Sequence, residues 1–323
     1  MNYTELLKKP EYDFLREMNR DFLFLCVSGS RAYGTNRPDS DVDLRGCVYN
    51  TPAEMLGLEK FDCFDERNTD TKIFGLNKML QLWINNNPES LELLGCRPCD
   101  YVYLSDKGKL LLDNSQLFLS KRAGFAYGGF VGTLFRELQR YLAMDISDTQ
   151  KLENLYRSAD HLVKGFQMRY AHATDETFQL HVDEDPAHPG IYVDIQAKGI
   201  PLQEFNGMCN ELSNIRDHHK QIKDRKEAKD EKHLNKQIAH LFRAYFMAFD
   251  ILENQKIVVY REKEIDFLKE ALNGRFLDHG NLTPEFFSMM NAYEERLHYA
   301  AKYTELPDKP DVSKIKDLAV NLL

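Results

Sequence analysis

Residues 21–50 read DFLFLCVSGSRAYGTNRPDSDVDLRGCVYN, and this stretch limits what the chain can fold into more than any other. DFLFLCV, 21–27, is a short apolar run rich in strand formers, and DVDLRGCVYN, 41–50, alternates apolar and polar residues. Between them stands a Gly-Ser turn. Side chains two apart on a strand leave the same face, so Asp41, Asp43 and Arg45 share one face while Val42 and Leu44 enter the core. DTKIFGL, 70–76, is a third candidate strand of the same sheet.

Ahead of these strands, residues 4–19 are expected to form one amphipathic helix with Leu6, Leu7, Phe14, Leu15 and Met18 on one side. From about Leu76 onward the pattern turns helical: LNKMLQLWIN, then a restart at NPESLELL with Pro88 near its first turn, then longer amphipathic segments. Strands at the front and helices behind predict an α+β first domain, 1–115, and a mainly helical, substrate-binding second one, 116–323. HVDEDPAHPG, 181–190, reads as a loop, flanked by a short strand pair at TFQLHV and GIYVDI. Gly124, Gly128 and Gly132 fall four apart, which on a helix lines one face and admits a neighbouring backbone; in a non-membrane chain this is a packing device. Trp83 and most other aromatic residues sit in helical patterns, where core packing is the default.

Composition excludes several classes. No apolar run approaches the length of a membrane span, and the N-terminal residues carry mixed charge without a leader pattern, so a soluble cytoplasmic protein is expected. The six cysteines are scattered, which favours reduced thiols over a disulfide framework, and the one CxxC, Cys96 and Cys99, lacks the second pair that a structural zinc would need. The histidines have no metal-ligand spacing. A formal net charge of −9 argues against coating nucleic acid through bulk electrostatics, although a local basic face remains available. Neither GxxxxGK[ST] nor a GxGxxG after a strand is present, so the usual nucleotide loops are missing.

The opening stretch supplies another route to a nucleotide. Without a Cβ, Gly29 lets backbone approach a ligand, and amides near Ser30 and Arg31 would face an anion if a short helix starts there. Asp41 and Asp43, aimed at one point, repel each other unless a cation lies between them. Mg²⁺, which takes one or two carboxylates together with phosphate oxygens and water, is the fitting ion. The turn would hold a triphosphate and the aspartates the metal that bridges it.

GSRAYGTNRPDSDVDLRG resembles the signature of the DNA polymerase beta-type nucleotidyltransferase superfamily, and more narrowly the bacterial and phage members of its RNA-repair-associated branch. NPESLELL, HLNKQIAHLFRAYFMAFDIL, VVYREKEIDFLKEALNGRF and TELPDKPD are similar to later segments of that branch. The resemblance implies a small mixed sheet of the polymerase beta palm type followed by helices. It matches Gly29 and Ser30 to the turn and Asp41 and Asp43 to the metal pair. A third carboxylate is required, with Asp62, Asp65, Glu66 and Asp70 as candidates. Asp70 is chosen because it opens the third strand, although Phe74 would then share its face.

The implied chemistry is two-metal phosphoryl transfer: Asp41, Asp43 and Asp70 hold one Mg²⁺ at the acceptor hydroxyl, and Asp41 and Asp43 hold a second at the triphosphate, with Asp70 as general base or its metal-bound equivalent. Arg31 and Arg45 would neutralise the phosphates or pair with the aspartates. In the helical half, on a helix expected through 222–249 that overlaps the charged run 216–236, Arg225, Lys229, Lys232, Lys236, His240 and Arg243 recur at helical spacing on one face. Its outer part reads best as a solvated face on which Glu227, Asp230 and Glu231 answer the lysines. Lys236, His240 and Arg243, in a more apolar setting where their charges would need partners, are the nucleotide-binding candidates.

The expectation is therefore an Mg²⁺-dependent enzyme that moves a nucleoside monophosphate from an NTP such as ATP to a hydroxyl acceptor, an RNA end among the compatible ones, and releases pyrophosphate. The alternative is a degenerate transferase that senses a nucleotide or binds a partner without turnover.

Overall fold

The computed structural model describes residues 3–38, 40–142, 166, 179–183, 190–194, 200–202, 205–213 and 231–322. Five strands form the main sheet: β1 Phe22–Val27, β2 Leu44–Val48, β3 Cys63–Glu66, β4 Thr71–Gly75 and β5 Tyr101–Leu104, in the order β3-β4-β2-β1-β5. β1 runs antiparallel to β2 and β5, β2 parallel to β4, and β3 antiparallel to β4. The helices that follow or interrupt them are α1 Gly29–Tyr33, α2 Pro52–Met55, α3 Leu76–Ile84, α4 Pro88–Glu92, α5 Asp106–Asp113, α6 Lys121–Leu142, α7 Glu231–Asn254, α8 Ile265–Leu272, α9 Pro284–Tyr303 and α10 Val312–Leu322. This is the expected α+β arrangement, a small mixed sheet followed by helices.

Both faces of the sheet are covered. On one, Leu25, Leu44, Val48, Ile73 and Val102 join Leu6, Tyr12 and Leu15 of the N-terminal segment in a buried cluster. On the other, Phe24 stacks on Trp83 of α3 with ring centroids 6.4 Å apart, and Trp83 meets Phe118 at 5.1 Å. Trp83 is fully buried, and its indole N–H donates to the Ser90 carbonyl at 2.8 Å.

The N-terminal segment corrects one expectation. Instead of a single helix over 4–19 there are three short turns, Tyr3–Leu6, Pro10–Tyr12 and Phe14–Glu17. Pro10 breaks the ladder, and Lys9 before it is extended, with φ −94° and ψ 124°. The apolar side was read correctly, because Leu6 and Leu15 are buried and Leu7, Phe14 and Met18 pack against the cluster.

β2 also starts later than expected, at Leu44 rather than Asp41. Its parallel partner β4 begins at Thr71, opposite Leu44, so residues 41–43 have no strand of β4 beside them. β3 and β5 carry no clear signal in the sequence: β3 is an exposed edge, and β5 is only four residues long. The strand pair around the 181–190 loop is present as β6 Gln179–Asp183 and β7 Gly190–Asp194, paired antiparallel; residues 184–189 of that loop lie outside the described residues.

Two compact units divide the chain. The first comprises Met1–Tyr127, Phe246–Leu268 and Thr304–Leu323, the second Gly128–Tyr245 and Lys269–Tyr303. In the second, Phe242 packs on Phe276 at 4.8 Å and Phe286 at 5.6 Å, and Tyr245 donates a buried hydrogen bond to Glu294 at 2.8 Å. Two of the three spaced glycines of α6 act in packing: a Cβ on Gly124 would stand 2.6 Å from Leu252 and one on Gly128 3.1 Å from Leu297, whereas Gly132 has room for one. Among the described residues no helix is long and apolar enough to cross a membrane.

Candidate active site

The C-terminal end of β1, the N-terminal end of β2 and the N-terminal end of β4 lie at one end of the sheet, because Val27 pairs with Leu44 and Leu44 with Thr71. Ser28 to Ser30, Asp41 to Asp43 and Asp70 are therefore neighbours. Two backbone bonds extend the ladder past the strand ends: the Ser28 amide donates to the Asp43 carbonyl at 2.9 Å, and the Leu44 amide to the Asp70 carbonyl at 3.2 Å. Val42 and Leu44 pack toward the apolar cluster, which sends Asp43 and Arg45 to the opposite face.

Gly29 and Asp43 are fitted to one another. Gly29 has φ +63°, the left-handed region, and the Asp43 carboxylate fills the space beside it, so that a Cβ on Gly29 would fall 1.8 Å from Oδ2 and 2.9 Å from Cγ. The glycine is needed twice over, for its backbone angle and for the room it leaves.

Arg31, on α1, reaches back to the aspartate loop. Its Nε donates to the Asp41 carbonyl at 3.1 Å and its guanidinium to the Ser40 carbonyl at 2.6 Å. The arginine thus fixes the approach to Asp41, whose own side chain is exposed. Asp70 closes the turn between β3 and β4 with φ +40°, and Arg45 holds it: the guanidinium donates to the Asp70 carbonyl at 2.5 Å and to Oδ1 at 3.1 Å. Of the other candidates for a third carboxylate, Asp62 pairs with Lys60 at 3.0 Å, Asp65 with Lys72 at 3.1 Å, and Glu66, opposite Thr71 at this same end of the sheet, accepts from the Asn68 amide at 3.1 Å.

The far end of α1 is braced by residues that the sequence reading did not select. Tyr33 donates through its hydroxyl to the buried Glu92 at 2.7 Å, and its carbonyl accepts from the Arg261 amide at 3.1 Å. Gly34, with φ +81°, lies against Tyr260 and Ile265. The signal lay in NPESLELL, quoted for its likeness and not for the carboxylate inside it.

Lys236, His240 and Arg243 share a face of α7 in the second unit. Lys236 is exposed and Arg243 buried. Burial, and after it the charges of Arg243, Lys236 and His233, push the His240 pKa down to about 3. The imidazole is therefore neutral at physiological pH, not the cation that the stripe suggested. Arg225 and Lys229 lie outside the described residues, and Lys232 is exposed.

The donor set fits a hard divalent cation, since Asp41 and Asp43 offer oxygen atoms only. Asp70 reaches the same end of the sheet but is paired with Arg45. Among the described residues no three His, Cys, Asp or Glu side chains are gathered closely enough to hold a metal.

A family model described as RlaP, RNA repair pathway DNA polymerase beta family, matches residues 11–185, more than half of the chain. The chain belongs to this family. No curated protein and no solved structure gives a match. The matched span includes the Gly29 turn, the Asp41 and Asp43 loop and Asp70, and membership makes the chain a polymerase beta-like protein of an RNA repair pathway.

Proposed function

We propose that this protein is an Mg²⁺-dependent nucleotidyltransferase that moves a nucleoside monophosphate from an NTP to a hydroxyl acceptor, an RNA end being the acceptor most in keeping with its family, and releases pyrophosphate. The observation that carries the reading is the Asp43 carboxylate set against the positive-φ Gly29, at the sheet end that also receives Asp41 and Asp70. A cation bound there would supply Lewis-acid charge to the nucleotide phosphates, with Asp41 and Asp43 as its protein ligands. In this reading Gly29 and Ser30 receive the triphosphate, Arg31 keeps the aspartate loop in place, and Asp70, positioned by Arg45, takes the proton of the acceptor hydroxyl. Residues 1–115 carry the chemistry in a cytoplasmic enzyme. Residues 116–323 bind substrate, with Lys236, Arg243 and the neutral His240 contacting phosphates.

The engagement of Asp70 by Arg45 favours a second reading, a nucleotide sensor without turnover. The separating experiment incubates the protein with Mg²⁺, each α-labelled NTP and a panel of RNA ends, proteins and small hydroxyl compounds, beside an Asp41→Ala/Asp43→Ala control. Transfer that disappears in the control is expected. Metal-dependent NTP binding without any transfer would establish the sensor instead.

Arg45→Met tests the proposed role of Asp70. The pair is half exposed, so stability should change by less than about 1 kcal/mol. Misplacing a reacting carboxylate should lower kcat by about tenfold or more with a smaller change in KM. A steady-state comparison with an unaltered kcat would remove Asp70 from the chemistry.

A further inference from the structure

α1 is only five residues long, and a helix of so few residues does not hold its own conformation or direction in water. Its surroundings must do so. At its first residue Gly29 lies against the Asp43 carboxylate, and from its middle Arg31 reaches the Ser40 and Asp41 carbonyls. Both of these supports are the aspartate loop itself, the part that α1 has to place. The remaining supports act at the last residue, Tyr33, and come from two segments remote in sequence.

The first is Glu92, the last residue of α4. It is 7% exposed, and its Oε2 accepts from the Tyr33 hydroxyl at 2.7 Å. The start of α4 is fixed in turn, since Asn87 caps it by accepting from the Ser90 amide at 3.0 Å. The second is the segment 257–261 beyond α7. The Arg261 amide donates to the Tyr33 carbonyl at 3.1 Å, and the Val259 amide to the Gly95 carbonyl at 3.4 Å. Ile257 packs so closely on Gly95 that no Cβ would fit there. Tyr260 lies under the Arg97 guanidinium, 3.7 Å from its ring centroid, and against Gly34, while the buried Arg261 side chain pairs with Asp250. Gly95 joins the two supports, because its amide donates to the Glu92 carbonyl at 3.0 Å. Together they make one frame around the end of α1.

We infer that Tyr33 and Glu92 are positioning residues for nucleotidyl transfer: their hydrogen bond sets the direction of α1, and with it the place of the Gly29 turn and the seat of Asp43. One turn of helix separates Tyr33 from Gly29, so a tilt at one end reaches the other. The fit between Gly29 and Asp43 leaves no room in which to absorb it. A hydroxyl held by a carboxylate suits the task, since a hydrogen bond fixes both distance and angle where an apolar contact tolerates sliding. Burial keeps water from replacing it. The positioning role rests on the function proposed above; the hold on α1 does not.

The test compares the full-length wild type with Tyr33→Phe, with Glu92→Gln, which keeps an acceptor oxygen, and with Tyr33→Phe/Glu92→Leu, which removes both halves of the bond. Each is studied well below its own melting temperature. Hydrogen exchange of peptides covering 28–35 should quicken by about tenfold in Tyr33→Phe and in the double variant, with β1 and β2 unchanged. In the same two variants the Kd and KM for NTP with Mg²⁺ should rise about tenfold, and kcat should fall. Glu92→Gln should stay close to wild type in every measurement. Unchanged exchange across 28–35 in Tyr33→Phe would overturn the hold on α1. Faster exchange with Kd, KM and kcat unaltered would overturn the positioning role. So would a lower kcat with Kd and KM unaltered, the mark of lost folded protein, or a Glu92→Gln variant as impaired as Tyr33→Phe. If the wild type neither binds NTP nor transfers label, the proposed function fails, while the exchange measurement still decides the hold on α1.

Discussion

Gly29→Ala should lower nucleotidyl transfer by at least about 100-fold while leaving most of the fold intact. Two costs fall on the one methyl group. At φ +63° an L-residue is strained by about 1–2 kcal/mol. The added Cβ would also stand 1.8 Å from Asp43 Oδ2, which is no contact at all, so the carboxylate must leave its position. A displacement of about 1 Å at a reacting group is enough for a loss of about 10²-fold. The strands are untouched, since Gly29 follows β1 and Asp43 precedes β2, so the melting temperature should fall by only a few degrees. The check is kcat/KM for label transfer together with a thermal melt, and the double variant Gly29→Ala/Asp43→Gly. In the double variant the collision is gone and so is the carboxylate, so its activity should be no lower than that of Asp43→Gly alone, a non-additivity expected of groups in contact. An active Gly29→Ala would mean that the Asp43 carboxylate can work from elsewhere, and the site as described here would be wrong.

That coupling explains why this part of the molecule was legible in the sequence. Two short strands separated by a glycine turn, with carboxylates at the start of the second, leave few arrangements, and strand alternation alone sends Leu44 inward and Asp43 to the other face. Asp70 could be chosen because it opens a strand, but its partner could not. The parallel pairing that brings Arg45 beside it joins residues 25 apart, and a single sequence gives no register for such a pair. Residues 4–19 misled for the reverse reason. Apolar residues at helical spacing reported truly on which side faces the core, while Pro10 decided locally that no continuous helix forms. His240 was read as a charge because the spacing of a basic stripe is visible in sequence and desolvation is not.

The largest loss of stability outside the apolar core should come from Glu54→Ala, at about 3 kcal/mol at neutral pH, and it should depend on pH in a definite direction. Glu54 caps α2 in a box with Thr51 and is nearly buried, yet its carboxylate is fully used. It accepts from both terminal nitrogens of Arg20, at 2.6 and 3.1 Å, from Asn50 at 3.0 Å and from the Thr51 amide at 3.0 Å. Asn50 in turn accepts from the Asn77 amide at 2.8 Å, so one carboxylate links the end of β2, the start of α3 and the chain before β1. Removing it leaves Arg20, its side chain only 18% exposed, without its counter-charge, and breaking a pair of that kind costs about 3–5 kcal/mol when both members are buried. The lower end applies because Arg20 keeps some water. Hydrogen bonding from Arg20, above all, holds the Glu54 pKa down at about 2, against burial, which acts the other way. A folded-state pKa below the ordinary value of 4.5 means that the unfolded chain binds the proton more readily. The stabilisation is therefore complete above about pH 4.5 and is lost as the pH falls toward 2. Urea midpoints for wild type and Glu54→Ala, measured from pH 7 downward, should stand well apart at neutral pH and approach each other between about pH 4.5 and 2 as the wild type loses its advantage. Parallel curves across that range would mean that the carboxylate contributes through packing alone, and the charge-assisted network would not be what joins β2 to α3.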